Sequence, residues 1–166
     1  MEYRELEPGM LPACHALLAD SVAALPDECY PLSARLAWAG VWDDESQRAW
    51  EARLAQSWSR AAMAGDELLG FAWLTRDGEL DMLYVAPHAQ GAGIGRALIQ
   101  ALEVEAAGAG VAGLHAWASH AARPVLERLG YSVLRPNAVL RDGVTIENWL
   151  MAKGGWQEPP TGRSEA

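Results

Sequence analysis

Between a short apolar run and an amphipathic segment, the chain carries Gln90, Gly91, Ala92, Gly93, Ile94, Gly95 and Arg96. Glycines at a strand-to-helix turn let ligand atoms approach the backbone, because no Cβ stands in the way. The first amides of the helix that follows have no partner within it and lie at the positive end of its dipole, so an anion fits there. A tight turn with no ligand would use the same glycines. Two familiar phosphate loops do not fit. A dinucleotide fingerprint needs GxGxxG, but counting from Gly91 and Gly93 reaches Arg96, and counting from Gly93 and Gly95 reaches Leu98. No Lys-Ser or Lys-Thr pair follows, so the turn is not a nucleoside-triphosphate loop either. The spacing present is Gln90-x-x-Gly93-x-Gly95.

Just upstream, Glu79 and Asp81 share a strand face by the two-residue period. Asp81, flanked by Leu80 and Met82, reads as a partly desolvated carboxylate able to take a proton. Glu79 reads equally as a hairpin residue facing solvent.

The elements that position these residues follow from periodicity and punctuation. A short strand around Tyr3 to Leu6 and a Pro-Gly break precede a helix from about Pro12 to Ala23, with Leu17, Leu18, Val22 and Leu25 on one face. A Pro-punctuated connector with a short helix around Ser33 to Ala39 follows. Asp43 and Asp44 then open a third helix, on which Trp50, Leu54 and Trp58 stand four apart. Strands at about 68–75 and 79–85 join at Asp77-Gly78, a pair suited to a tight hairpin turn. After the glycine turn, Ile94, Leu98, Leu102 and Ala106 form a helical stripe that ends at Gly108 and Gly110. A strand at "VAGLHAW", a short helix at "SHAARPVLERLG", a strand start at "YSVLRP" and a hairpin turned at Asp142-Gly143 complete the order. That order predicts an α/β (α+β) domain with a mixed, largely antiparallel sheet. Residues 1–153 are expected to form one domain and 154–166 a flexible C-terminal tail.

With 166 residues and 51% hydrophobic content, the chain suits one core and one site. The formal charge of −9 and the absence of a basic stripe disfavour nucleic acid. No window approaches the roughly 18 apolar residues that a membrane span needs, and no basic start leads into an apolar block, so a cytoplasmic protein is expected. Cys14 and Cys29 form no CxxC pair, and no metal site is indicated.

The Gln90-x-x-Gly93-x-Gly95 spacing after "LYVAP" resembles the acyl-CoA pyrophosphate signature of the GNAT acetyltransferases. The downstream "ASHAARPVLERLGYSVL" and "NAVLRDGVTIENWLMAK" resemble that family's next strand and helix and the closing hairpin of one bacterial branch. The likeness is specific over about residues 68–153 and topological before that. It implies helices around a central sheet in which a splayed parallel strand pair forms the acyl-CoA cleft. Acetyl-CoA would be the cosubstrate, and an acetyl group would pass to a primary amine of a small molecule or peptide by direct attack; a non-catalytic acyl-CoA-binding or regulatory module is the alternative. The resemblance also admits a homodimer.

Residue by residue, it implies that backbone groups of Leu83, Tyr84 and Val85 take the pantetheine arm as an added strand would. Gln90, Gly91, Ala92, Gly93, Ile94, Gly95 and Arg96 would hold the pyrophosphate, and Ser119 would add a contact unless it only caps the next helix. A family base commonly lies eleven residues ahead of Gln90, which is Glu79, so Glu79 and Asp81 stand as an unranked pair. Where the family often has a proton-donating tyrosine, this chain has Leu126, after Val125. Ser119, His120 or Tyr131 would have to substitute, or the thiolate would leave without help. On the acceptor side, Tyr30, Trp38 and Trp42 are candidates to line an amine site, since aromatic faces attract ammonium groups. Trp50 and Trp58 are assigned to packing.

Overall fold

The computed structural model describes residues 1–160. Its order is β1 (Glu2–Arg4), α1 (Leu11–Ala23), α2 (Leu32–Ala39), α3 (Asp44–Ala55), β2 (Ser57–Ala64), β3 (Glu67–Thr75), β4 (Glu79–Val85), α4 (Ile94–Gly108), β5 (Leu114–Ala118), α5 (Ala122–Arg128), β6 (Ser132–Arg141) and β7 (Val144–Lys153), with single 3-10 turns at Pro8–Met10 and Pro87–Ala89. The seven strands form one sheet in the order β1-β2-β3-β4-β5-β7-β6. All neighbours are antiparallel except β4 and β5. This is the mixed sheet that the residue pattern implies.

Each sheet face carries its own core. The α4 stripe of Ile94, Leu98, Leu102 and Ala106 is buried against Ala62, Leu74, Leu80 and Met151. On the opposite face, Leu11, Leu17, Leu18 and Val22 of α1 and Leu54 of α3 pack on Ala61, Phe71, Trp73 and Met82. Asp43 starts α3 by accepting the Ser46 backbone N–H at 2.8 Å, one of the amides a helix start leaves without a partner.

One expectation needs correction. The third helix stops at Ala55, and Ser57–Ala64 forms β2, so Trp58 does not continue the stripe of Trp50 and Leu54. The run "RAAMA" has good helix propensity, but β2 is paired on both edges, by β1 and β3, and Ala61 and Ala62 are fully buried on opposite faces. Small side chains let α4 close on the sheet there, and tertiary burial overrides propensity. Trp58 packs on the α4 side, with the Arg76 guanidinium 4.8 Å from its ring centre.

The closing hairpin is longer than the residues around Asp142-Gly143 alone suggest. Strand β6 runs unbroken through Pro136, which the ladder accommodates because β6 lies at the sheet edge. Beyond β7 the chain turns back at Gly154 and Gly155, and as far as it is described it lies on the sheet. Trp156 stacks on His115 with ring centroids 4.0 Å apart, and Arg135 donates to Glu158. The remainder of the expected tail, 161–166, lies outside the described residues. Trp156→Ala should lower the unfolding free energy by about 1–2 kcal/mol, the stacking increment plus lost area, measurable by urea titration; no change would mean the stack contributes nothing.

Among the described residues, no helix is long and apolar enough to cross a membrane, and no cluster of three metal-ligating side chains occurs. Both cysteines are free, and burial pushes the Cys14 thiol up to about 12.

Candidate active site

Strands β4 and β5 pair only at Glu79 with His115 and Leu80 with Ala116. The closed end is fastened by the His115 N–H donating to the Gly78 carbonyl at 2.9 Å. From Asp81 onward β4 has no neighbour on that side, and a cleft opens. Ala86 donates to Leu69 in β3, so by alternation the backbone groups of Val85 and Leu83 point into the cleft. The Val85 carbonyl is already used: Ser21 Oγ donates to it at 2.9 Å and Gln90 Nε2 at 3.3 Å. What remains for a ligand is the Val85 N–H and both groups of Leu83.

The cleft is a cavity of about 450 Å³. One wall is Leu83, Tyr84, Val85 and the glycine turn; the other is α5, through Ala122, Val125 and Arg128, with Leu129 just after it. Gly91 and Gly93 sit at φ of 82° and 83°, the left-handed region that glycine enters without strain. Gly93 is the residue before α4, whose first turn has no capping side chain and no acid. The helix therefore offers bare amides beside Arg96, with Arg128 facing them across the cleft. A polyanion fits this mouth in spite of the chain's overall negative charge. Gln90, Ile94 and Gly95 also line it; Ala92 is exposed and does not.

A second cavity, of about 300 Å³, lies under the hairpin of β6 and β7. Tyr30, Trp38, Trp42, Glu79 and Asp81 all line it. Three residues, Trp38, Tyr84 and Ser119, line both cavities and mark where they meet. Trp38 Nε1 donates to the Tyr84 hydroxyl at 3.0 Å, which leaves the phenol proton free to be given elsewhere. Burial pushes the Tyr84 hydroxyl up to about 12, so it keeps that proton at neutral pH.

The two carboxylates differ sharply. Register places Trp73 opposite Met82 and Leu74 opposite Leu80, so Asp81 is the extra residue of a β-bulge. The bulge turns Asp81 toward α3, where Arg53 grips it through Nε at 2.9 Å and through a second nitrogen, and Trp73 Nε1 donates to it at 2.7 Å. Its oxygens are committed. Among the described residues the Glu79 carboxylate makes no hydrogen bond; His115 Nε2 stands 3.4 Å away, in charge-pairing range. The other ring nitrogen of His115, Nδ1, is buried and has no hydrogen-bond partner among the described residues.

The other candidates also separate. The Tyr30 hydroxyl donates to the Glu147 carbonyl and accepts from the His120 N–H, both at 2.9 Å, which makes it a clasp between β7 and the start of α5. Trp42 stacks on His15 and meets Trp50 edge-on. Ser119 Oγ accepts the Ala122 N–H at 3.1 Å while lying at the junction, so capping and lining coexist. His120 packs on Tyr30 and Trp149 and lines neither cavity. Tyr131 is buried on the α4 side, away from both, and Leu126 is core at 1% exposure. Sequence reasoning did not single out Ser21, Arg53, His115 or Arg141 for the site. Each joins it only through contacts distant in the chain, and no local signal marks them.

A splayed parallel pair, a glycine-turned helix start without a capping side chain and an adjoining aromatic cavity define the class: a mixed α/β domain with a cleft whose shape and charge suit a long anionic ligand. The chain belongs to the GNAT acetyltransferases, whose acetyltransferase (GNAT) domain model matches residues 37–151. It is similar to a GCN5-related N-acetyltransferase from Rhodopseudomonas palustris at 31% identity and a TM-score of 0.84, over 92% of this chain and 94% of that one. A ribosomal-protein-alanine N-acetyltransferase from Brucella melitensis shares the fold at 24% identity and a TM-score of 0.69, over 92% and 99% of the two chains. The PaiA N-acetyltransferase of Thermoplasma acidophilum, solved with coenzyme A, does so at 18% and 0.63, over 92% and 98%. No protein of curated function matches by sequence.

Proposed function

We propose that the protein transfers an acetyl group from acetyl-CoA to a primary amine held in the aromatic cavity. The observation that carries this is the junction at Trp38, Tyr84 and Ser119, where a cleft lined by arginines and bare helix amides meets a cavity bearing a carboxylate with no hydrogen bond among the described residues. Acetyl-CoA supplies an acyl carbon already activated as a thioester. The amides at the start of α4, with Arg96 and Arg128, would hold its phosphates, and the free backbone groups of Leu83 and Val85 its pantetheine arm. Neighbours of the same fold solved with coenzyme A support this use of the cleft.

Glu79 is the base in this reading. It takes a proton from the bound ammonium, directly or through water, so that the nitrogen lone pair can attack. As the new C–N bond forms and the C–S bond breaks, the attacking nitrogen sheds its second proton to water and the Tyr84 hydroxyl gives its own proton to the departing sulfur; the phenolate then recovers a proton from solvent and Glu79 releases the one it took. Leu126 cannot do this, and Tyr84 stands in from β4 rather than from α5. Trp38 holds the phenol in place through its indole N–H.

Tyr84→Phe should leave acetyl-CoA affinity within about twofold by calorimetry and lower kcat about 100-fold in a thiol-release assay. Because burial raises the Tyr84 hydroxyl, its proton is lost only at strongly alkaline pH, so the wild-type rate should show no alkaline fall from this group near pH 8. Undiminished turnover by Tyr84→Phe would remove Tyr84 as the acid. Failure of the wild type to bind acetyl-CoA at micromolar concentration would overturn the function itself, and binding without turnover of any amine would favour the non-catalytic module.

A further inference from the structure

Building on the acetyltransferase reading, we propose that the acceptor is a free amino acid with a large apolar or aromatic side chain, its carboxylate held by Arg141 and its ammonium by Glu79. The charges that line the acceptor cavity lead to this. Arg53 and Asp81 neutralise each other. Arg141, by contrast, lines the cavity and has no ion pair or side-chain hydrogen bond among the described residues, and the Glu79 carboxylate has no hydrogen bond. Two opposite charges thus face one cavity without meeting, an arrangement that suits a small zwitterion.

Arg141 is well placed for the task. It ends β6 at a tight turn in which Asp142 and Gly143 take φ of 48° and 75°. The turn is anchored because Val139, Val144 and Ile146 pack on Tyr30 and Ala34, while the Tyr30 hydroxyl holds the β7 backbone at Glu147. The guanidinium fork matches a carboxylate with two parallel hydrogen bonds, which an ammonium cannot accept.

Size and wall chemistry narrow the class. At about 300 Å³ the cavity is at the small end of ligand sites, suited to one residue-sized molecule. Its indole wall of Trp38, Trp42 and Trp50 suits an apolar or aromatic side chain. A peptide N-terminus has no carboxylate next to its amine and would leave Arg141 without a partner. A diamine would bring a second ammonium against that cation. Glu147 also borders the cavity and, like Arg141, is exposed, so pentane-1,5-diamine as an acceptor reads whether it takes a second ammonium.

The test compares phenylalanine, phenylalaninamide, phenethylamine and pentane-1,5-diamine as acceptors, with thiol release as the readout. Wild type should prefer phenylalanine by tenfold or more in kcat/KM. Arg141→Gln should erase that preference through KM, and Arg141→Lys should restore part of it. An amide, amine or diamine used as well as phenylalanine would overturn the proposal, as would an Arg141→Gln protein that still discriminates. Calorimetry on the coenzyme A-saturated protein separates this from the activity. Phenylalanine bound by wild type and lost in Arg141→Gln, without thiol release, would uphold the amino-acid site and defeat the acetyltransferase reading. No binding of phenylalanine would defeat the amino-acid site.

Discussion

Glu79→Gln is expected to lower kcat for acetyl transfer by about a thousandfold, within the range a positioned base supplies, while leaving acetyl-CoA affinity and thermal stability nearly unchanged. The amide keeps the size of the side chain but cannot take the ammonium proton. Stability should hold because, among the described residues, the Glu79 carboxylate makes no hydrogen bond and only approaches His115 at 3.4 Å. Asp81 should behave in the opposite way. Its charge is gripped by Arg53 and by the Trp73 indole, with 11% of its side chain exposed. Asp81→Ala would strand a guanidinium and a buried N–H, at a cost of about 2 kcal/mol, with Arg53 partly relieved by solvent. Loss of activity in that variant should follow loss of folded protein in a urea titration. If Asp81→Ala stays fully folded and inactive while Glu79→Gln keeps its rate, the assignment of the base is reversed.

Replacing Gly93 should have the second large effect, on cofactor binding. At φ of 83° a β-branched residue is strained by about 1–3 kcal/mol, so Gly93→Val confounds fold with binding. Asparagine enters the left-handed region more readily. Among the described residues, a Cβ at Gly93 meets no atom within 4 Å, so Gly93→Asn starts its side chain in open space. The prediction is a stability change under about 1 kcal/mol together with acetyl-CoA binding weakened by tenfold or more. The added side chain would stand where, in the proposed reading, the bare amides of α4 receive the phosphates. Unchanged affinity in a folded Gly93→Asn protein would mean that the turn is only structural.

Both predictions concern residues that local pattern singled out, and local pattern explains why they could be found. A glycine turn feeding a 3.6-period stripe is specified within about 20 residues, and Ile94, Leu98, Leu102 and Ala106 are all buried on α4 as the period requires. The two Asp-Gly hairpins are legible for the same reason. Strand β2 was not, because its alanines favour a helix when considered alone and become a strand only between β1 and β3. Trp58 accordingly moves from one face of the sheet to the other. Glu79 and Asp81 could not be ranked because what separates them is remote: a bulge set by register with β3, an arginine 28 residues upstream and an indole on the neighbouring strand.

The sequence by itself determined the strand, glycine turn and helix that the proposed cofactor site uses, the domain class, and the absence of a tyrosine at Leu126. These depend on φ preferences, dipole ends and apolar periods, which act over a few residues. Only the tertiary structure decided which carboxylate is uncommitted, that Trp38 and Tyr84 meet across 46 positions, and that Arg141 faces the same cavity as Glu79. Side-chain availability is a matter of which distant partners the fold has already supplied, and that is known only once the sheet has closed at Glu79 and opened at Asp81.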